Sequence, residues 1–349
     1  MAREIPPITF DFDGADLGDR RLAARLTWMA EALAARPDQP LPDVFLTEAG
    51  LEAGYRFFNN GRVTPAGILA PHIEATVARS RCAERLLVLH DTTLFHFDGR
   101  GFGPLRGATL GEGFFGHVAL AVDGVAERAP LGVLGLCTFE RTKRPRGRRK
   151  TEAERRDDNE LRHWAELFEK VRDALGDARA VHVMDRQADS YALFSTMFGR
   201  ADFVVRAAHD RIASSDGERV RSVLAEQPVV LERTVSITAR EGTGLNRDRH
   251  QPARDERSAV LHVTAAAIDL PRPRDSHGSP RATTPAVLPL HLVRVYEPNP
   301  PDGERPIECK RSAVSHQRSA SFRIAGTCDR RPETTRGIPR AQPIVFAEC

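Results

Sequence analysis

Two aspartates stand at the ends of short apolar runs. Asp91 follows Leu86-Leu87-Val88-Leu89-His90 and leads into Thr92-Thr93. Asp185 follows Ala180-Val181-His182-Val183-Met184 and leads into Arg186-Gln187-Ala188-Asp189. Runs this short, apolar and partly β-branched, predict buried strands of a sheet covered on both faces. A carboxylate at the C-terminal end of such a strand leaves the core where ligands gather on α/β sheets. On neighbouring strands, two of them suit divalent metal ions, so Asp91 and Asp185 are the candidate metal ligands. His90 and His182 lie inside the apolar runs and read as core histidines. Asp189 reads as a helix cap.

The elements around them follow from periodicity. Asp19 is placed to cap a helix from Arg20 to Leu33, with Leu22, Leu26, Met29 and Leu33 on one face, stopped by Pro37 and Pro40. A second helix is predicted over 48–59 and a third over 65–79 after Thr64. Trp28, Tyr55, Phe57 and Phe58 read as core. Strands are predicted to end at Asp91 and to span 117–122 and 132–139, with a Gly-rich hairpin or loop over 99–116. Residues 141–150 carry seven cations in ten positions, a solvated loop or a DNA-backbone contact. A helix over 154–175, the Asp185 strand, a helix through 191–194 and a strand over 203–206 come next. This order predicts an antiparallel meander extended by parallel strands, with the Asp91 and Asp185 strand ends side by side. Strands with long polar connections are predicted at 229–237, 258–267 and 286–296. Residues 309–349, with eight Lys and Arg against three acids, hold no sustained periodicity.

Composition bounds the class. The chain has 349 residues, 41% of them hydrophobic and 28% charged, so more than one core is expected. No run approaches the ~20 apolar residues of a membrane span, and the first residues lack a signal-peptide core. A cytoplasmic chain is expected. The net charge of +3 is too modest to identify nucleic acid as a partner by itself. Five cysteines, none in a Cys-x2-Cys pair, give a zinc site little support.

In their shared order and spacing, several segments resemble the DDE transposases of the insertion-sequence-four family, the Tn-five-like group. Asp16-Leu17-Gly18-Asp19-Arg20-Arg21 is similar to that group's N-terminal DNA-binding segment, and Ala53-Gly54-Tyr55-Arg56-Phe57-Phe58-Asn59-Asn60 to the helix that follows. Asp91-Thr92-Thr93 and Asp185-Arg186-Gln187-Ala188-Asp189 resemble the segments holding the first two catalytic acids, and Phe203-Val204-Val205-Arg206 the next strand. The resemblance covers about residues 9–308. It implies an α/β fold: a helical DNA-binding domain (1–70), a ribonuclease H-like core (71–214) and a β-rich insertion (215–308). Residues 309–349 then form an unpatterned tail. It also implies Asp91 and Asp185 as catalytic residues holding Mg2+ or Mn2+, with transposon ends and target DNA as substrates. A homodimer, or a heterodimer with an intact transposase, is the implied assembly. Two metals activate the attacking oxygen and stabilise the leaving one in phosphodiester displacement, and oxygen ligands suit both ions. Arg20, Arg21 and Arg25 become candidate contacts to end DNA, and Arg206 a candidate phosphate contact.

One part of the pattern is missing. The family's third acid is a Glu within Tyr-x2-Arg-x3-Glu-x6-Lys on a helix after the β insertion. Here the last tyrosine is Tyr296 and the last tryptophan Trp164, and no such pattern follows residue 297. A shifted reading frame near residue 309, leaving a truncated and inactive transposase, is the expectation. The alternative is a DNA-binding protein without catalysis, able to inhibit an intact relative. A two-acid nuclease of the same fold is a third reading.

Overall fold

The computed structural model describes residues 11–96, 113–125, 128–139, 160–214, 216–242, 253–273, 284–301, 306 and 308–315. The basic run at 141–150, most of the Gly-rich stretch and the segment after 315 lie outside them. The chain forms two compact units, Met1–His182 and Val183–Cys349.

The first unit opens with helices α1 (Arg20–Ala35), α2 (Leu41–Phe45), α3 (Glu48–Phe58) and α4 (Pro65–Ser80). Asp19 is extended (φ −154°, ψ 124°) and its carboxylate accepts the Arg21 N–H at 2.9 Å, which starts α1 as predicted. Thr47 and Thr64 cap α3 and α4 in the same way, accepting from Gly50 and Gly67. Ala15, Leu17, Leu26, Met29, Val44, Phe45 and Phe57 make the core of this helical segment. The Phe45 ring fills the space beside Gly54, where an added Cβ would meet Phe45 Cε2 at 2.7 Å. Helix α3 therefore packs through Gly54 and Phe57. Tyr55 and Phe58, expected in the core, fall outside that contact and are each 50% exposed.

The sheet of this unit holds β1 (Leu86–His96), β2 (Gly113–Asp123), β3 (Pro130–Phe139) and the start of β4 (Ala180–Met184), in the order β3-β2-β1-β4. Strands β1 and β2 pair antiparallel from Leu86↔Asp123 to His96↔Gly113. Asp91 is thus the sixth residue of an eleven-residue strand, opposite Val118, and not its end. The β-branched Thr92 and Thr93 and the aromatic Phe95 favour continued pairing. Helix α5 (Glu160–Leu175) lies on the sheet, burying Trp164, Leu167, Phe168, Val171 and Leu175, a spacing of three and four. Its Leu167, with Val171 and Leu175, joins Val77, Leu86, Val88, Ala119, Ala121 and Leu134 in one core.

The second unit follows β4 with a 3-10 turn (Arg186–Ala188), α6 (Tyr191–Met197), β5 (Asp202–Arg206) and α7 (Val220–Ala225). Strands β6 (Val229–Ile237), β7 (Arg257–Pro271), β8 (Val287–Tyr296) and β9 (Glu308–Ser315) come after. Within this unit the order is β5-β9-β8-β7-β6, each neighbour pair antiparallel. Two elements differ from the sequence reading. Helix α7, only six residues long, is too short to show a helical period. Residues 308–315 form β9, although loss of pattern was expected from residue 309; the strand takes its order from backbone pairing on both sides, Phe203↔Ser315 to β5 and Tyr296↔Glu308 to β8.

Candidate functional site

Arg20 and Arg21 are exposed on the first turn of α1, and among the described residues neither guanidinium is held in an ion pair. Arg25, one turn on, is half-buried and lies over the Trp28 ring, 5.1 Å from its centroid. Part of its side chain is therefore committed to packing. A cation the sequence reading passed over joins them: Arg62 Nη1 donates to the Gly18 carbonyl at 3.4 Å, beside the start of α1. Its only sequence signal is the Asn59-Asn60-Gly61 turn before it.

This helical segment is fastened to α4 and β3 by a buried polar network. The carboxylate of Asp11 accepts from Arg79 Nη1 at 2.6 Å and Nη2 at 2.9 Å, and from His72 Nδ1 at 2.8 Å. Arg79 Nε donates to the Leu131 carbonyl at 2.7 Å, and His72 Nε2 accepts the Val133 N–H at 2.9 Å. The Val133 and Asp11 contacts fix the His72 tautomer: Nε2 is bare and Nδ1 carries the proton. Burial opposes ionisation of Asp11, but Arg79 and His72 outweigh it and hold its carboxyl below the usual range.

Asp91 is exposed, and among the described residues its carboxylate accepts no hydrogen bond. Its neighbours form an unusual core. His90, His117 and His182 are 3%, 0% and 2% exposed. His90 Nε2 and His182 Nδ1 are 2.9 Å apart, so one ring donates and the other accepts. His117 bonds Thr92 Oγ1 through Nδ1 at 2.9 Å and packs on Trp164, ring centroids 4.1 Å apart. His90 Nδ1 and His117 Nε2 are buried without a partner among the described residues. Burial is the main cause of depressed basicity in all three. His182 falls to about 4. His117 falls to about 4 against an opposing effect of the Asp91 backbone. His90 falls well below its ordinary value, with neighbouring His182 and His117 adding to burial. All three are neutral near pH 7, and the reading of His90 and His182 as core residues agrees with this packing.

Asp185, in the second unit, is half-buried; its Oδ1 accepts the Gln187 N–H at 2.8 Å. Among the described residues Oδ2 accepts nothing. Asp185 caps the start of the 3-10 turn through its side chain, and Asp189, expected to cap the next helix, does not: the N-cap of α6 is Ser190. Ser190 precedes α6 without a side-chain bond. Asp189 is buried instead, accepting the Ala208 and His209 N–H groups at 2.7 and 3.0 Å and Arg211 Nε and Nη2 at 3.0 and 2.9 Å. Arg206, at the end of β5, is exposed.

Among the described residues, no three His, Cys, Asp or Glu side chains converge as a metal cage. Glu297, just after β8, is 5% exposed and held by Arg257 Nη1 at 2.5 Å and Nη2 at 2.9 Å, so it serves packing. Asp91 and Asp185 nonetheless have the right donor type for Mg2+ or Mn2+. Mg2+ is commonly held by one or two carboxylates, with water and substrate phosphates completing six oxygens. No described helix is long and apolar enough to cross a membrane. No curated protein matches the chain. Residues 8–63 match the family described as transposase DNA-binding, so the helical segment carrying Arg20, Arg21 and Arg62 is similar to transposase DNA-binding domains, which supports DNA as a partner.

Proposed function

We propose that this chain is a transposase-type protein of the insertion-sequence-four, Tn-five-like group. It binds the DNA ends of its element through residues 8–63, and its core is ribonuclease H-like. Asp91 and Asp185 serve as carboxylate ligands for Mg2+ or Mn2+, which would supply the Lewis acid for phosphodiester cleavage and joining. The observation that carries the reading is the transposase DNA-binding match at 8–63, together with the exposed Arg20 and Arg21 within it. Guanidinium groups on a helix's first turn engage phosphates without competition from a bound acid.

Without the Tyr-x2-Arg-x3-Glu-x6-Lys pattern after residue 297, the chain occupies ends and does not complete catalysis. The test is selection from a pool of random-sequence duplexes, first in chelator and then in Mn2+. Enrichment of one sequence in chelator, with no nicking in Mn2+, is expected. Failure to retain any duplex refutes the reading. Mn2+-dependent strand transfer refutes the loss of catalysis, and nicking without sequence preference points to a two-acid nuclease.

A further inference from the structure

Asp185 and Asp189 sit four residues apart and are used in opposite ways. An ionised carboxylate offers about four lone-pair sites. Asp189 has filled its four with Ala208 N–H, His209 N–H, Arg211 Nε and Arg211 Nη2. It has no site left for a ligand. Arg211 Nη2 also donates to the Asp189 carbonyl at 2.5 Å, so backbone and side chain are gripped together. The carboxylate makes no contribution to capping α6, although the N-cap beside it lacks a side-chain bond. Its bonds reach nineteen to twenty-two residues along the chain and tie the 3-10 turn after β4 to the segment after β5.

Both ends of that tie lie next to an exposed or half-exposed polar group. Asp185 begins the turn that Asp189 ends, and only Arg186, Gln187 and the fully buried Ala188 separate them. Arg206 stands two residues before Ala208, exposed at the C-terminal end of β5. From this geometry we infer that Asp189 and Arg211 are positioning residues, setting the Asp185 carboxylate for a divalent cation and the Arg206 guanidinium for a phosphate. This inference rests on the metal role proposed for Asp185. Neither positioning residue touches the ion. They act by limiting the swing of a turn otherwise held by the Asp185–Gln187 bond, its own backbone bonds and the buried Ala188. Outer-shell partners of this kind govern metal affinity as well as the ligands do.

Mn2+ binding to the full chain, read from the loss of the free-ion EPR signal, tests it. Wild-type protein should bind, and Asp185→Asn should not. Arg211→Lys keeps the charge but loses the fork, and Asp189→Asn keeps the shape but loses the charge; each should weaken Mn2+ binding about tenfold or more. Arg257→Lys is the control, because it breaks the buried Arg257–Glu297 pair elsewhere in the same unit. It should destabilise that unit and leave Mn2+ affinity at the wild-type value. Wild-type affinity in both Arg211→Lys and Asp189→Asn overturns the inference. So does an equal loss in Arg257→Lys, which would show affinity following stability alone. If wild-type protein binds no Mn2+, or Asp185→Asn binds it equally, the metal role of Asp185 fails and takes this inference with it.

Discussion

Mild acid should destabilise the first unit, and the buried histidines set the size of the effect. His117 and His182 are neutral in the fold, each with basicity lowered from 6.5 to about 4. In the unfolded chain they titrate at the ordinary value. Between those limits the unfolded state binds more protons, so stability is full above the unfolded value and is lost as pH falls through it toward the folded one. Going from about pH 7.5 to about pH 5.5, linkage gives a loss of about 1.3 kcal/mol per ring, roughly 2.7 for the two. His90 shifts in the same direction and adds to the loss. Asp11 does not confuse the window, because its carboxyl titrates below the ordinary value of 3.8. Both tryptophans, Trp28 and Trp164, belong to this unit, so intrinsic fluorescence in urea reports on it directly. With a slope of about 2 kcal/mol per molar, the midpoint should drop by about 1.3 M. His117→Phe should reduce that drop by roughly a third to a half. An unchanged midpoint across the window would refute the assignment of neutral buried rings.

Other perturbations have defined outcomes. Arg79→Ala strands the buried Asp11 carboxylate and should cost about 3–5 kcal/mol, visible as a lower melting temperature; a loss below about 1 kcal/mol would mean that Asp11 is solvated. Gly132→Ala should cost about 3 kcal/mol, because φ is +135° and the new Cβ would meet Thr76 Oγ1 at 2.2 Å; chemical denaturation checks it. Arg20→Ala and Arg21→Ala should leave the fold intact. Each should weaken DNA binding and lower the slope of log affinity against log salt by about 1. An unchanged slope would remove these residues from the interface.

The elements with a clear period or cap were legible in the sequence. Asp19 and Thr64 start α1 and α4 where their side chains predict, and β4 and β6 match their apolar runs. Long-range partnership was not legible. Nothing within Asp185-Arg186-Gln187-Ala188-Asp189 reveals that Asp189 will meet Arg211, because that contact depends on where β5 returns the chain. The reach of β1 beyond Asp91 depends on β2, and β9 owes its order to β5 and β8. Tyr55 and Phe58 were misread because helical spacing marks a face without saying how far along the helix its partner extends. Arg62 was missed because a lone cation after a turn has no pattern.

The network at Asp11 bears on how this protein can be taken apart. The transposase DNA-binding match ends at residue 63, yet Asp11 finds its partners at His72 and Arg79. Those two residues in turn hold the backbone of β3 at Leu131 and Val133. A fragment cut at the family boundary would carry a carboxylate shaped for burial and leave behind every group that neutralises it. A chimera joined there would meet the same mismatch from the other side. The N-terminal helices are thus built in continuity with the sheet, and a workable excision must run past α4 and bring β3 with it.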